Sequence, residues 1–377
     1  MHSETGARIR LDALPSAARD ALRCLQGLLA GAPAWLVGGA VRDALEGRAP
    51  PDLDVTAPRG ALALGRALAA RLGAAFVMLD EARGACRVVV GGPSPLQLDL
   101  TEFRAPTLAG DLRARDFTVN ALAASIDELL RHGSAAIEDP TGGLADLAAG
   151  VVRPCGPRSI DDDPVRALRA VRLGLREGWR LEPSTESAVR NVAGRITQVA
   201  AERVRDELVA ILADSRSGTA LRTLDRLGVL PALLPESLSM RQTAQPAPHR
   251  FDVWEHSLRA VEAAEVLVEG LAVLDPWGEA LGTHLAEDLG DRLSRREALK
   301  LAALLHDISK PETRSESEGR VRFIGHDAIG AARTAEVARR WRLSRRAGIV
   351  LERLVAEHLR PMHLAQSGGA TRRARHR

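Results

Sequence analysis

Two aspartates and a pair of glycines near the N-terminus are the residues whose types and spacing best predict chemistry. Asp52 and Asp54 occupy alternate positions of a predicted strand, so both carboxylates point to the same side of it. Carboxylates held that close repel each other unless a cation lies between them, which predicts a site for Mg²⁺. Gly38 and Gly39 precede a short predicted helix, where their backbone can bring amides close to a phosphate. This combination indicates phosphoryl or nucleotidyl transfer.

The run that carries these residues is WLVGGAVRDALEGRAPPDLDVT, residues 35–56. It places a strand, the glycine pair, a Val-Arg-Asp helix, a Gly-Arg turn and the Asp-x-Asp strand in order. That order resembles the first motif of the class II tRNA nucleotidyltransferase and poly(A) polymerase family. The resemblance implies that Asp52 and Asp54 are catalytic and hold two Mg²⁺ ions, and Arg42 is a candidate for a phosphate contact. A lone Gly-Gly with a later Asp-x-Asp would more simply be a turn and an acidic loop.

The composition of the 377-residue chain is that of a protein with more than one domain. A hydrophobic content of 45% is ample for buried cores, and no apolar run is long enough to cross a bilayer. We therefore expect a soluble cytoplasmic protein with no membrane partner. The formal charge is only +3, so any contact with RNA must come from local clusters. Three widely spaced cysteines predict neither disulfides nor a cysteine-based zinc site.

Three short apolar runs after the first motif predict strands of a small mixed sheet with helices on one side. They span residues 75–79, 86–90 and 96–100. In the third run leucines alternate with polar residues, so Asp99 lies on the face away from the leucines. We interpret Asp99 as a third catalytic carboxylate that activates the attacking hydroxyl. A polar residue on a solvated sheet face explains the same spacing.

The segment PTLAGDLRARDFTVNALA, residues 106–123, resembles the part of the same family in which an Arg-Asp and a downstream Asn face the nucleotide. Arg115, Asp116 and Asn120 match that pattern. Asp116 and Asn120 are four residues apart, which predicts a shared helix face where a carboxylate and an amide bind a ribose. The resemblance implies selection of ribonucleotides. The alternative is that Asp116 caps a helix and Asn120 faces solvent.

The segment DDDPVRALRAVRLGLREGWR, residues 161–180, resembles the family pattern Glu-Asp-x-x-Arg, whose Asp and Arg bind the incoming base. Asp162, Asp163 and Arg166 match the pattern, with Asp162 in place of the glutamate. Arginine offers donors in a fixed fork and aspartate offers acceptors, so the two can match a nucleobase edge. The shorter side chain at position 162 leaves the preferred base open.

A helix is predicted to begin at Pro164, because proline suits the first turn and acidic residues suit its positive end. One face of this helix is apolar and the other carries Arg166, Arg169, Arg172, Arg176 and Arg180. We include Arg169 in the nucleotide site. The later arginines either extend a positive surface toward RNA phosphates or are simply solvated. Farther along, AERVRDEL at 201–208 resembles the next family motif, and we interpret its Glu202 and Arg203 as structural.

Histidines in the last third of the chain follow the order of a second family. The residues are His256, His306, Asp307, His326 and His358. Their order resembles the HD superfamily of metal-dependent phosphohydrolases, a helical fold in which His, His-Asp and a final Asp bind one or two metals. The resemblance makes His256, His306, Asp307 and His326 candidate ligands of a divalent transition metal. No aspartate follows Asp327, so either His326 and His358 replace the closing ligand or the domain only scaffolds or binds tRNA.

These assignments predict an α+β chain of four parts. We expect a polymerase-beta-like nucleotidyltransferase head with a small mixed sheet at 1–150, an all-α neck and body at 151–240, a helical HD domain at 251–365 and a disordered basic tail at 366–377. The resemblance implies template-independent addition of CCA, or part of it, to the 3′ end of tRNA from CTP and ATP. Addition of CC only, of A only, and poly(A) synthesis are alternatives. From another class, the chain could act as an HD phosphohydrolase.

Overall fold

The computed structural model describes residues 6–92 and 95–366. The chain divides into two compact units: Met1–Asp162 with Gly178–Thr185, and Asp163–Glu177 with Glu186–Arg377. Apart from Gln366, the basic tail predicted at 366–377 lies outside the described residues. Among the helices of the described segments, none has the length and apolar composition needed to cross a membrane. The three cysteines are free thiols, as the sequence predicts.

A mixed sheet of eight strands forms the centre of the first unit. The strands are β1 (Arg8–Arg10), β2 (Trp35–Val37), β3 (Asp52–Ala57), β4 (Ala75–Asp80), β5 (Ala85–Val90), β6 (Leu96–Glu102), β7 (Ala123–Ser125) and β8 (Ser134–Glu138). Their spatial order is β1-β8-β7-β2-β3-β6-β5-β4. Strands β3 and β6 run parallel, and the other neighbours are antiparallel. The predicted mixed sheet is confirmed, and the three apolar runs are strands β4, β5 and β6.

Helices lie on both faces of this sheet. The remaining elements of the unit are α1 (Ser16–Leu29), α2 (Gly39–Leu45), α3 (Ala61–Leu72), α4 (Leu108–Arg113), α5 (Ile126–His132), α6 (Gly143–Ala149), α7 (Ser159–Asp162), β9 (Val151–Val152) and β10 (Arg180–Leu181). Leu36 of β2 joins the large core that α1 and α3 cover. The next residue, Val37, faces the other way and packs with Leu108 and Leu112 of α4. The expectation of helices on one side only is therefore wrong.

Alternation along the central strands separates the core from the polar face. Leu53 and Val55 of β3 and Leu98 of β6 are buried in the large core, each worth roughly 1.5–3 kcal/mol on burial of an aliphatic side chain. The intervening residues Asp54 and Asp99 are paired in register and therefore share the opposite face. The apolar side chains thus determine the side of the sheet on which the carboxylates lie.

In its described residues, the second unit is helical apart from one hairpin. Its helices are α8 (Arg166–Leu173), α9 (Pro183–Val192, beginning in the first unit), α10 (Ala201–Ala213), α11 (Ser217–Arg226), α12 (Val229–Leu233), α13 (Ser237–Arg241), α14 (Val253–Glu269), α15 (Gly278–Leu285), α16 (Arg295–Leu305), α17 (Lys310–Thr313), α18 (His326–Arg340), α19 (Arg345–Ala356) and α20 (Arg360–Gln366). The hairpin pairs β11 (Arg314–Ser317) with β12 (Arg320–Phe323). Helix α14 packs on α16, and α19 packs on both α16 and α18.

The helix predicted from Pro164 to the end of the arginine-rich segment is shorter than expected. The backbone first forms a tight turn, in which the amide of Arg166 donates to the carbonyl of Asp163 at 3.0 Å. Regular helix α8 then begins at Arg166 and ends before Gly174. Arg180 lies in β10. The predicted single stripe of five arginines is therefore wrong, because Gly174 ends the helix before Arg176 and Arg180.

Both lysines of the chain are buried. Lys300 is 2% exposed and Lys310 is 7% exposed. The ammonium of Lys300 donates to the carbonyls of Leu212 and Asp214, each at 2.8 Å, and so satisfies carbonyls at the end of α10. Burial lowers the pKa of Lys300, and nearby carboxylates, Glu265 foremost, act in the opposite direction. Lys300 therefore ties α16 to the end of α10.

Candidate catalytic and metal-binding sites

The predicted metal pair begins strand β3. Asp52 is exposed, Asp54 is partly buried, and their alternate positions put both side chains on one face. Gly38 follows β2 with a φ of 72°. A Cβ added to Gly38 would lie 2.7 Å from Oδ2 of Asp54. Only glycine permits this close approach of the backbone to the carboxylate. The residues present fit a hard divalent cation, because two carboxylates lie on one face of β3.

Arg42 and Asn120 connect the first predicted motif to the second. Arg42, 8% exposed, pairs with the neighbouring Asp43 at 3.0 Å, and its Nη1 donates to Oδ1 of Asn120. Nδ2 of Asn120 in turn donates to Oδ1 of Asp116 at 3.2 Å. The structure therefore brings these predicted residues together in one hydrogen-bonded chain. The role of Arg42 in phosphate binding stays a prediction.

The helix expected to join Asp116 and Asn120 is not formed. Helix α4 ends at Arg113, and Asn120 ends a short 3₁₀ turn at Thr118–Asn120. Asp116 lies before that turn and accepts the backbone amide of Phe117 at 2.8 Å. The carboxylate competes for local backbone amides, which favours a turn over a continuous helix. The side chains still meet, because the tight turn spans the same four residues.

Arg115, the remaining residue of the second motif, forms an ion pair with a buried carboxylate. It lies 3.2 Å from Asp111, whose other oxygen accepts the backbone amide of Arg104 at 3.0 Å. Asp111 is 1% exposed. The ion pair therefore positions Arg115 at the end of α4, and its contact with a nucleotide stays a prediction.

Asp99, the predicted third carboxylate, forms a bidentate ion pair with Arg87. Nε and Nη2 of Arg87 each donate to a different oxygen of Asp99 at 2.7 Å. Asp99 lies in register with both Asp54 and Arg87, so the three side chains stand side by side across β3, β6 and β5. The hydrogen bonds to Asp99 raise the pKa of Arg87, and the charges of Asp52 and Asp54 contribute. Asp52, Asp54 and Asp99 do not form a group with all ligand atoms within 4.8 Å.

The residues predicted to read the base fall on both sides of the division between the units. In the first unit, Asp162 pairs with Arg158 at 3.0 Å on the surface. In the second, Asp163 accepts both Nη1 and Nη2 of Arg203, at 3.1 and 2.7 Å. Arg166 lies 3.9 Å from Asp163. Arg203, interpreted from the sequence as structural, therefore positions the carboxylate that is predicted to read the base.

Arg169 lies on α8 and binds a buried carboxylate of α10. Glu207 accepts Nε of Arg169 and Nε of Arg172, each at 2.8 Å. Burial alone would raise the pKa of Glu207, but the charges of the two arginines outweigh it and leave the pKa below its usual value. These contacts lock α8 onto α10. A contact of Arg169 with a nucleotide stays a prediction.

The five predicted HD residues come together around one carboxylate. Nε2 of His306 lies 3.0 Å and Nε2 of His256 lies 3.6 Å from Oδ2 of Asp307. On the other side, Nε2 of His326 and of His358 lie 3.3 and 3.8 Å from Oδ1. The cluster contains two groups of three residues whose ligand atoms all lie within 4.8 Å of one another. They are His256, His306 and Asp307, and Asp307, His326 and His358.

This donor set fits a transition metal. Asp307 is 1% exposed, and neither of its buried oxygens accepts a hydrogen bond of regular geometry despite the close nitrogens. Burial acts to raise the pKa of Asp307, but His306 and His326 lower it below its usual value, so it is ionised. A buried carboxylate surrounded by imidazole nitrogens is the ligand environment that divalent transition metals prefer.

Comparisons with known proteins decide the family. The model of the poly A polymerase head domain matches residues 34–153, that of a probable RNA and SrmB-binding site of polymerase A matches 178–240, and that of the HD domain matches 253–376. A multifunctional CCA protein of Xanthomonas campestris is 32% identical over 324 residues, which cover 79% of this chain and 68% of that protein. The chain belongs to the tRNA nucleotidyltransferase and poly(A) polymerase family.

Other members of this family are also similar over most of the chain. An A-adding tRNA nucleotidyltransferase of Deinococcus radiodurans is 39% identical over 317 residues, or 82% of this chain. The chain spans 65% of that relative's length. A crystal structure of a tRNA nucleotidyltransferase with a primer tRNA and an incoming ATP analogue matches with 26% identity and a TM-score of 0.56, over 76% of this chain and 75% of the other.

Arg87 and Lys310 contact predicted site residues and are absent from the sequence-based predictions. Arg87 pairs with Asp99, and the ammonium of Lys310 lies 2.7 Å from Oδ2 of Asp307. The sequence carried no local signal for Arg87, because its contact with Asp99 depends on the register between β5 and β6. Lys310 follows Asp307 by three residues, a spacing that could have indicated the contact.

If Arg87 positions Asp99, Arg87→Ala should slow nucleotide addition. We expect kcat to fall about 10- to 100-fold, because a charge-assisted hydrogen bond contributes roughly 1.5–3 kcal/mol. Single-nucleotide addition to a defined primer measures the effect. The matched control is Arg83→Ala in the turn between β4 and β5, where Arg83 is highly exposed and pairs only loosely with Asp80 at 3.6 Å. Equal losses in both variants would contradict the positioning role.

Proposed function

We propose that this chain adds nucleotides to the 3′ end of tRNA from CTP and ATP without a nucleic-acid template. The observation that carries the proposal is the Asp52–Asp54 pair beside Gly38, because such carboxylates suit a divalent cation and glycine lets the backbone lie close against Asp54. The names of the similar proteins support a tRNA substrate. A tRNA-processing role also agrees with the cytoplasmic location expected from the sequence.

The head residues would act together on the primer and the nucleotide. Mg²⁺, as two ions held by Asp52 and Asp54, would lower the pKa of the primer 3′-hydroxyl and stabilise the charge of the triphosphate. The 3′-oxygen would then bond to the α-phosphorus while the bond to the leaving pyrophosphate breaks. We assign to Asp99 the acceptance of the hydroxyl proton, in an orientation held by Arg87.

Two further groups of residues would select the substrate. The chain of hydrogen bonds from Arg42 through Asn120 to Asp116 offers an amide and a carboxylate to a ribose. Asp163 and Arg166 offer an acceptor and donors to the base edge, with Asp163 oriented by Arg203. Because Asp163 is already engaged by Arg203, base reading would require sharing or exchange of that contact.

The test uses tRNA transcripts that end before CCA, after C and after CC. Purified protein is incubated with each, Mg²⁺ and CTP, ATP or both, and products are resolved to single nucleotides. Extension of all three to a complete CCA end is the expected result. If the first two transcripts were extended only through CC, the chain would be a CC-adding enzyme. If only the third were extended, by a single A, it would be an A-adding enzyme. A long poly(A) tail on any transcript would identify a poly(A) polymerase. No extension of any transcript would contradict nucleotide addition.

We propose metal-dependent phosphohydrolysis as a second activity, in the HD part of the chain. The observation that favours it is the buried Asp307 between two pairs of histidines. A transition metal bound there would polarise a phosphate and supply a nucleophilic hydroxide at neutral pH. The substrates to test are nucleoside 2′,3′-cyclic phosphates and 2′-phosphates.

Separate variants should distinguish the two activities. We expect His306→Ala to reduce phosphate release by about 10²-fold or more, because second-shell changes alone already cost 10–100-fold at metal sites. The same variant should retain nucleotide addition. Asp52→Ala should behave in the opposite way. Phosphate release that survives in His306→Ala but disappears in Asp52→Ala would assign hydrolysis to the head and contradict the HD activity.

A further inference from the structure

The turn that carries the predicted ribose contacts is held in place by a later segment of the first unit. The turn spans Thr118–Asn120, and three residues are too few to form a stable helix on their own. Asp116 precedes the turn, Asn120 ends it, and their side chains are joined by a hydrogen bond of 3.2 Å. The positions of these two side chains therefore depend on the contacts that fix Thr118 between them.

Thr118 belongs to a closed ring of hydrogen bonds with Asp146 of α6 and Arg153. The hydroxyl of Thr118 donates to Oδ2 of Asp146 at 2.7 Å, and its amide donates to the carbonyl of Arg153 at 2.9 Å. Nε of Arg153 donates in turn to Oδ1 and Oδ2 of Asp146, at 3.2 and 3.1 Å. Thr118 and Asp146 are both buried, so it would be costly to leave these bonds unmade. We call this group the Thr118 ring.

The residues just before the turn are anchored by the same segment. The carbonyl of Asp116 accepts the amide of Cys155 at 3.0 Å and the hydroxyl of Ser159 at 2.8 Å. The next residue, Phe117, is fully buried and forms an isolated β-bridge with Pro154. The approach to the turn is therefore fixed by backbone pairing, and the Thr118 ring fixes the turn itself.

The first residue of α6 packs directly against the turn. A Cβ added to Gly143 would overlap the carbonyl oxygen of Thr118. The amide of Gly143 donates to Oδ1 of Asp139 at 2.8 Å, and the amide of Leu144 donates to Oδ2 at 2.9 Å. Asp139 thus satisfies two amides that the helix itself leaves unbonded. Helix α6 therefore meets the turn at two points, the backbone of Gly143 and the carboxylate of Asp146.

We propose that Asp146 and Gly143 are positioning residues for selection of the ribose. They act through Thr118 on the two side chains that are predicted to bind the sugar, and neither touches the nucleotide. This inference rests on the proposed nucleotide addition and on the assignment of Asp116 and Asn120 to the ribose. A ribonucleotide gains from well-placed polar groups because they bond to its 2′-hydroxyl, whereas a deoxyribonucleotide lacks that group. Loss of the Thr118 ring should therefore lower the preference for ribonucleotides.

The test compares kcat/KM for a ribonucleotide with kcat/KM for the matching deoxyribonucleotide. Single additions to a tRNA transcript are measured with CTP and dCTP, or with ATP and dATP for a chain that adds only A. We expect Thr118→Val to lower the ratio about 10-fold or more through the ribonucleotide, because a misplacement of about 1 Å can cost 10²-fold. Thr118→Ser keeps the hydroxyl and should keep the ratio. Asp146→Ala should behave like Thr118→Val.

Two matched controls separate positioning from a general loss of stability. Thr185→Val removes another buried threonine hydroxyl of the first unit, which donates to the carbonyl of Val152 at 2.9 Å. This variant should keep the ratio of the unmodified chain. Gly143→Ala should lower the ratio, and its control is Gly27→Ala in α1, where an added Cβ meets nothing within 4 Å. Thermal unfolding shows which variants are folded.

The outcomes separate failure of this inference from failure of the proposed function. An unchanged ratio in folded Thr118→Val, including one that results from equal losses with both nucleotides, would overturn the positioning role. An equal fall of the ratio in Thr185→Val would also overturn it. If Thr118→Val does not fold, the same criteria apply to Asp146→Ala and Gly143→Ala.

The unmodified chain tests the assumptions on which the inference rests. Nucleotide addition without a preference for ribose would overturn ribose selection by the turn and leave the proposed function in place. No addition of any nucleotide would overturn the proposed function, and with it this inference.

Discussion

Replacement of Asp52 with alanine is expected to abolish nucleotide addition and to leave the fold intact. Asp52 is exposed at the start of β3, so its side chain contributes little to the core. Loss of one carboxylate of the pair removes a ligand of the expected Mg²⁺ site. The rate should fall on the order of 10³-fold or more, the scale on which loss of one preorganised electrostatic group acts.

Primer extension at saturating CTP and Mg²⁺ measures this effect. The control is Asp20→Ala, because Asp20 is an exposed carboxylate of α1 that pairs with Arg23 on the surface. That variant should retain full activity, and both variants should unfold at the temperature of the unmodified chain within a few degrees. A rate above about one tenth of that of the unmodified chain in folded Asp52→Ala would contradict the metal role, because loss of such a group typically costs 10²–10³-fold.

Gly38→Ala is expected to reduce activity far more than stability. The added Cβ would lie 2.7 Å from Oδ2 of Asp54, so the carboxylate must move. A misplacement of about 1 Å at a reacting centre can cost 10²-fold in rate, and we expect a loss of that size. The φ of 72° and ψ of −140° at Gly38 are also unfavourable for alanine. This strain should lower the free energy of unfolding by about 1–3 kcal/mol.

Gly73→Ala separates the clash from the backbone strain. Gly73 ends α3 with a φ of 61°, and a Cβ there would meet nothing within 4 Å. We expect a destabilisation of about 1–2 kcal/mol from the left-handed backbone and unchanged activity. Urea unfolding and primer extension on both variants provide the comparison. If both variants lost activity in proportion to their loss of stability, the clash of the added Cβ with Asp54 would not explain the effect of Gly38→Ala.

The strands could be predicted from the sequence because their signals are local. Alternation in β6 correctly placed Asp99 on the face away from the leucines, a face that Asp54 of β3 shares in register. The partner of Asp99 could not be found in this way, because it depends on the register between β5 and β6. An arginine within an apolar strand has no local signature of the carboxylate that it meets.

Helix lengths were harder to predict than helix faces. The apolar and charged faces of α8 follow the predicted periodicity, but the helix ends before Gly174. The turn that joins Asp116 to Asn120 depends on a hydrogen bond between the Asp116 side chain and the backbone. The spacing of residues in the sequence does not reveal such a bond. In the HD part, the order of the histidines predicted which residues meet. It did not predict the charge of Lys310 at the centre.

The burial of both lysines has a practical consequence for chemical labelling. Lys300 and Lys310 are the only lysines among 377 residues, and each is less than one tenth exposed. The side chains of these 377 residues therefore offer amine-reactive reagents very little to acylate. Modification of Lys300 or Lys310 requires local opening of the helical unit. A mass spectrometric count of acylated lysines thus reports directly how often that unit opens.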